Sequence, residues 1–194
     1  MNREDIVVFL KENLRPKRVA HSLGTEQAAR ALARRFGCDE AKAALAGLAH
    51  DCAKGMRLEQ MVAYAGEVDF PLDEVSLNSP QILHAPAGAA LARQVLGIAD
   101  EEVLGAICWH TVPRFGMTML EKIVSVADLI EENRDYDGVE DIRRAARGDL
   151  DEALRLKLGR SAIHVLSHGL PLHAGTIAVY NDLCLKKGVD PAIE

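Results

Sequence analysis

Residues 39–55 read DEAKAALAGLAHDCAKG. Alanine and leucine dominate, Asp39 stands where an N-cap belongs, and Gly55 closes the run, so the stretch predicts a helix. Nothing in it alternates with the period of two that a strand demands. His50 and Asp51 sit side by side near its C-terminal end, in an apolar setting. Burying a carboxylate there is costly unless a positive partner compensates.

The same punctuation extends in both directions. Residues 3–13 predict a short amphipathic helix. A second begins at Pro16, which suits a first turn, and runs to Phe36 before Gly37 ends it. A fourth covers 57–65, and the stretch from Gly66 to Pro80, rich in Asp, Asn and Ser with two prolines, reads as a loop. HAPAGAALARQVLG (84–97) is helical, Asp100 caps EEVLGAICWH, TVPRFG turns, and Thr118 opens MLEKIVSVADLIEEN (119–133). Segments 139–147, 150–168 and 174–187 are helical too. The expectation is an all-α, single-domain bundle of about nine or ten helices over residues 1–194, with a core of roughly 14–185.

Composition agrees. The 194 residues suffice for one domain with a sizeable core and are short for two. Aromatics are only 4%, which favours helices over sheets. A formal charge of −6 and no basic stripe argue against nucleic acid as a partner, so an anionic ligand would need local positive charge from metal ions or a few Arg and Lys. Cys38, Cys52, Cys108 and Cys184 lie far apart with no CxxC pair, which fits a reducing cytoplasm. MNREDIVVFLKENL does not read as a signal peptide, and no apolar run approaches the ~20 residues of a membrane span, so no membrane partner is expected.

His21, His50, His84 and His110 each lie within or at the end of an apolar helical segment. Asp128, in IVSVADLIEE, is a second carboxylate on a stripe that predicts burial. Imidazole and carboxylate suit iron, manganese or zinc, whereas scattered cysteines speak against a thiolate site. Four His and two Asp are too many for one catalytic ion with open positions; they suit two ions sharing a bridging carboxylate. Singly, each of His21, His84 and His110 is more often a core histidine bonded to a carbonyl. The order His, His-Asp, His, His, Asp at helical intervals raises the joint case.

RVAHS, AHDCAK, ILHAPAG, CWHT and VADLIEENR together resemble the HD-domain phosphohydrolase superfamily. Within it, GMTMLEKIVSVADLIEENRDYDGVEDIRRAA is most similar to the YqeK-type symmetrical bis(5′-nucleosyl)-tetraphosphatases, over roughly residues 14–185. The resemblance implies a dinuclear centre, usually di-iron, and hydrolysis of diadenosine tetraphosphate to two ADP. ADP or GDP would be product-like ligands, and a homodimer is compatible with it. His21, His50 and Asp128 would hold one ion and His84 and His110 the other, with Asp51 bridging. Ala85, where the family more often has Gly, and Ser125 and Leu129, where aromatics are common, depart from the pattern.

Two ions would neutralise phosphate charge and bring a bound water's pKa toward neutrality, giving hydroxide. Lys54, one turn after His50-Asp51, and Arg18, one turn before His21, are expected to act with Asp51 in catalysis and to bind phosphate. Arg134 is expected at the substrate too. Arg114 and Thr111 are candidates of the same kind, with a surface charge and a turn cap as their bland readings. Tyr136 and Phe115 are candidates for stacking on a base. His164 and His168 read as structural or surface groups, His173 as a turn residue, and Glu131-Glu132 as helix surface. Two other functions compete: an HD-type nucleotidase or phosphodiesterase acting on another nucleotide, and a non-catalytic nucleotide-binding regulatory module.

Overall fold

The computed structural model describes residues 1–188, so residues 189–194 of the expected domain lie outside the described part. It is all-α. The elements are α1 (Arg3–Asn13), α2 (Pro16–Phe36), α3 (Glu40–Ala49), α4 (Leu58–Ala65), α5 (Glu74–Leu77), α6 (Pro80–Gln94), α7 (Glu101–Cys108), α8 (Met119–Ile130), α9 (Val139–Ala145), α10 (Leu150–Ser167) and α11 (Ala174–Lys187). Asp39, Asp100, Thr118 and Asp149 accept backbone N–H bonds at the starts of α3, α7, α8 and α10, satisfying donors the helices cannot satisfy themselves. Gly37 closes α2 at φ 68°, in the left-handed region. Among the described residues no helix is long and apolar enough to cross a membrane.

Several elements differ from the sequence pattern, and some of the differences have a clear local reason. The loop between Gly66 and Pro80 contains a one-turn helix, α5, capped by Asp73, which brings the count to eleven among the described residues. Helix α6 starts at Pro80 rather than His84, because proline fits its first turn, and it tolerates Pro86 inside. Helix α3 ends at Ala49, so His50 and Asp51 lie in tighter turns marked by Cys52 N→Ala49 O and Lys54 N→Asp51 O bonds. Helix α8 ends at Ile130, where Glu131 leaves helical geometry at ψ 157°.

Helix α2 packs on α3 and α8, α6 packs on α4 and α7, and α10 covers α8 and α9. The α2–α3 contact is built from small side chains, including the fully buried Ala29, Ala33, Ala43 and Ala46. Close approach is enforced at Gly47: a Cβ there would stand 2.9 Å from Thr25 O and 3.1 Å from Ala29 Cβ. This matters beyond packing, because Gly47 O accepts the Nδ1 proton of His50. The core elsewhere is aliphatic, with Leu10, Leu83, Leu96, Ile107, Ile123 and Leu154 fully buried.

Gly47→Ala therefore sets alanine's helix preference of ~1 kcal/mol against overpacking on rigid backbone of about 1–3 kcal/mol. Urea unfolding should show a net loss of about 1 kcal/mol. A gain in stability would contradict the close α2–α3 contact.

Candidate metal centre

The six expected donors come from five separate places in the chain and converge on one point. His21 lies in the second turn of α2, His50 and Asp51 in the turns after α3, and His84 in the second turn of α6. His110 follows the end of α7, and Asp128 is in the last turn of α8. His21, His50, Asp51, His84 and His110 are buried, and Asp128 is 17% exposed. Their donor atoms form three interlocking groups, each within 4.8 Å: His21–His50–Asp51, His50–His110–Asp128 and Asp51–His84–His110.

The orientation of the rings is chemically telling. His50 Nδ1 stands 2.7 Å from Gly47 O and His110 Nδ1 2.7 Å from Ile107 O, so both rings carry their proton at Nδ1. His21 Nδ1 faces Glu131 Oε1 at 3.2 Å, and a proton held there leaves Nε2 free for a metal ion. The Nε2 atoms of all four rings turn inward and meet in couples: His21 with His50 at 3.1 Å, His84 with His110 at 3.1 Å. Two imidazole lone pairs at that separation repel each other unless a cation is shared between them. The donor set fits divalent metal ions, with outer hydrogen bonds fixing each ring as ligand histidines require.

Asp51 lies between the two couples. Its Oδ2 is 3.7 Å from both His21 Nε2 and His50 Nε2, while its Oδ1 is 3.0 Å from His84 Nε2 and 4.0 Å from His110 Nε2. Asp128 Oδ1 completes the first group, 3.0 Å from His21 Nε2 and 3.7 Å from His50 Nε2. One carboxylate oxygen thus serves each imidazole pair.

Electrostatics favour the binding forms of both carboxylates, of His84 and of His110, and work the other way at His50. Burial works against ionisation of Asp51, but His50, His84 and Lys54 outweigh it and hold the carboxyl well below its usual range. Burial is likewise overcome at Asp128, by His21, His50 and Arg134. Burial pushes His110 well below its ordinary value, aided by charge on His50 and His84, and burial with Lys54 lowers His84. Burial also disfavours charge on His50, but Asp51 and Asp128 prevail and raise it. Ionised carboxylates and neutral imidazoles are the forms that bind metal.

A cavity of about 460 Å³ opens over this cluster, lined by Asp51, His84 and Asp128 at its floor. Arg18, Lys54, Thr111 and Arg134 line it as well. Arg18 Nη1 donates to Asp51 Oδ2 at 2.9 Å, and Lys54 Nζ is 3.0 Å from His84 Nε2. Thr111 Oγ1 is 2.9 Å from His110 Nε2, and Arg134 donates to both the carboxylate and the backbone carbonyl of Asp128.

Other expected positions fall elsewhere. Arg114 does not line this cavity: it donates to buried Glu121 at 2.6 Å, stacks 5.3 Å over Trp109, and borders a separate cavity of about 300 Å³. The capping box of α8 fixes Glu121 and so draws Arg114 away. Tyr136 also stands off the cavity, its hydroxyl donating to Leu129 O. Phe115 is 66% exposed and lines neither cavity. His164 lines the outer rim, and His168 Nδ1 bonds its carbonyl. His173 is a buried N-cap of α11 as well as a cavity wall, more than a turn residue.

Two residues near the site were not anticipated. Glu131 is 2% exposed rather than on a helix surface, because the end of α8 turns it inward onto His21. Lys157 is buried under the site, where it donates to His110 O and Ser125 Oγ, and burial pushes its ammonium down to about 8. Periodicity offered a signal for Lys157, which shares one face of α10 with Leu150, Leu154 and Leu158.

Residues 18–133 match the family model described as HD domain. The chain is 38% identical over 181 residues to the symmetrical bis(5′-nucleosyl)-tetraphosphatase of Bacillus subtilis (strain 168), covering 93% of this chain and 97% of that protein. It is 37% identical over 183 residues to the protein of the same name from Staphylococcus aureus (strain NCTC 8325 / PS 47), covering 93% and 94%. Among solved structures it superposes on a crystal structure titled a predicted HD superfamily hydrolase involved in NAD metabolism, from Clostridium acetobutylicum. The TM-score there is 0.90 at 38% identity, covering 96% of this chain and 98% of the other.

The placement of Arg114 has a measurable consequence. Arg114→Ala leaves the buried Glu121 without its charged partner and should lower stability by about 2 kcal/mol while leaving metal content unchanged. Loss of bound metal from this variant would contradict the separation of the two cavities.

Proposed function

The chain belongs to the HD domain family, and from that premise we propose that it is a metal-dependent hydrolase that cleaves diadenosine tetraphosphate symmetrically into two ADP. The observation that carries the reading is Asp51, which offers one oxygen to each of two imidazole pairs at the floor of a cavity. A single-ion site would need only the first group; His84 and His110 argue for a second ion. When bound, two divalent transition-metal ions supply Lewis acidity toward water and phosphate oxygens. Iron is the proposed metal, with manganese and zinc sharing the same donors.

The chain's own residues do the rest. Lys54, Arg18 and Arg134 converge from three elements on one side of the carboxylates, giving a polyphosphate its positive contacts in a chain of net charge −6. Arg18 and Arg134 suit paired contacts with phosphate oxygens, and Lys54 acts as a point charge. Arg18 also fixes Oδ2 of Asp51, and Arg134 fixes Oδ1 of Asp128, so the groups that hold substrate also hold the ligands in place. Thr111 Oγ1 adds a hydroxyl beside His84 and His110. The wall formed by Ile82, Val165 and Leu172 gives a nucleoside an apolar face. The remaining parts of the proposal are one HD domain over residues 1–194, a cytoplasmic setting, a homodimer, and nucleotide rather than nucleic-acid partners.

Product identity is the test. Diadenosine tetraphosphate incubated with the protein and Mn²⁺ should yield ADP as the product, resolved by ion-exchange chromatography. Equal AMP and ATP would overturn the symmetrical reading. Asp51→Asn should lower the rate by about 10³-fold or more, since it removes a group on which both ions depend.

A further inference from the structure

The four imidazoles are not held alike. His50 and His110 each donate from Nδ1 to a backbone carbonyl at 2.7 Å. His84 Nδ1 has Pro80 O at 3.3 Å and the Lys54 ammonium at 3.2 Å. His21 alone of the four places Nδ1 against a carboxylate, Glu131 Oε1, at 3.2 Å. That carboxylate is buried, and its other oxygen accepts from Asn133 N and Asn133 Nδ2 at 2.8 and 2.9 Å. Arg134 Nε is the nearest cation to it, at 3.8 Å.

The fold makes room for this contact. Gly24 lies one turn beyond His21 on α2, and a Cβ there would stand 2.3 Å from Glu131 Oε2 and 3.2 Å from Asn133 Nδ2. Arg143 donates to Ile130 O, Glu131 O and Arg134 O, fixing the turn that carries Glu131. A carboxylate on the outer nitrogen of a ligand histidine raises the basicity of the inner one. Lys54 acts in the opposite sense, since an ammonium 3.0 Å from His84 Nε2 competes for its lone pair and repels a cation.

We propose that Glu131 is a positioning residue that makes the two metal positions unequal. The position formed by His21, His50 and Asp128 binds its ion tightly, and the one formed by His84 and His110 beside Lys54 exchanges it. This rests on the two-ion reading above and goes beyond it by ranking the positions and naming what ranks them. Glu131 acts through His21 and does not itself touch substrate.

The test is calorimetric titration of the full chain, stripped with chelator and refilled with Mn²⁺. The wild type should bind two ions in separable steps, and His84→Ala should remove the weaker step. Glu131→Gln should weaken the tighter step by about 10- to 100-fold and leave the weaker within about threefold. Gly24→Ala should act in the same direction by a different route, displacing the carboxylate with a methyl group. If Glu131→Gln leaves the tighter step unchanged, or weakens both steps equally, the proposal is wrong and the two-ion reading stands. Binding of a single ion by the wild type would overturn both.

Discussion

Four imidazole lone pairs and two carboxylates point into one small, largely buried volume, and that convergence is favourable only around positive charge. The Nε2 atoms of each histidine couple approach to 3.1 Å, and in His50 and His110 a backbone carbonyl holds the proton on the far side of the ring. Isolated ionised groups in such a setting would cost several kcal/mol apiece. The bundle carries this arrangement because its helices are tied together elsewhere, by the small-residue contact of α2 with α3 and the aliphatic core beyond it. Divalent ions bound here would turn a repulsive cluster into a cohesive one and couple binding to folding.

The donors come mostly from helix ends. His50, Asp51 and His110 lie just past the last turns of α3 and α7, Asp128 in the last turn of α8, and His84 near the start of α6. Helix ends leave carbonyls free, and those of Gly47 and Ile107 are the acceptors that lock His50 and His110. The backbone feature that stops each helix therefore also selects the tautomer of the histidine beside it. Cations reach the same point from other elements: Arg18 from α2, Lys54 from the turn after α3, and Arg134 from the turn after α8. Lys157 anchors the layer beneath, tying α10 to His110 O and Ser125 of α8.

Much of this was legible in the chain. Capping residues and glycines marked nearly every helix, and the order of histidines and aspartates named six side chains that the fold gathers at one point. Legibility failed where a helix end changes the direction of a side chain. Glu131 beside Glu132 has the look of a solvated acidic pair, and only the departure of residue 131 from helical geometry turns it onto His21. Arg114 follows His110 closely in sequence, yet Glu121 captures it through a contact that depends on how α8 begins. Lys157 was readable in principle, since it shares a face with three buried leucines. A charge on an apolar stripe deserves to be treated as buried until a partner is found.

The central claim is that Asp51 bridges two cations, one oxygen to each. Anomalous diffraction from crystals grown with Mn²⁺ addresses it directly. Two peaks are predicted, one among His21, His50, Asp51 and Asp128 and the other among Asp51, His84 and His110, with Asp51 touching both. A single peak, or two peaks of which only one contacts Asp51, would contradict it.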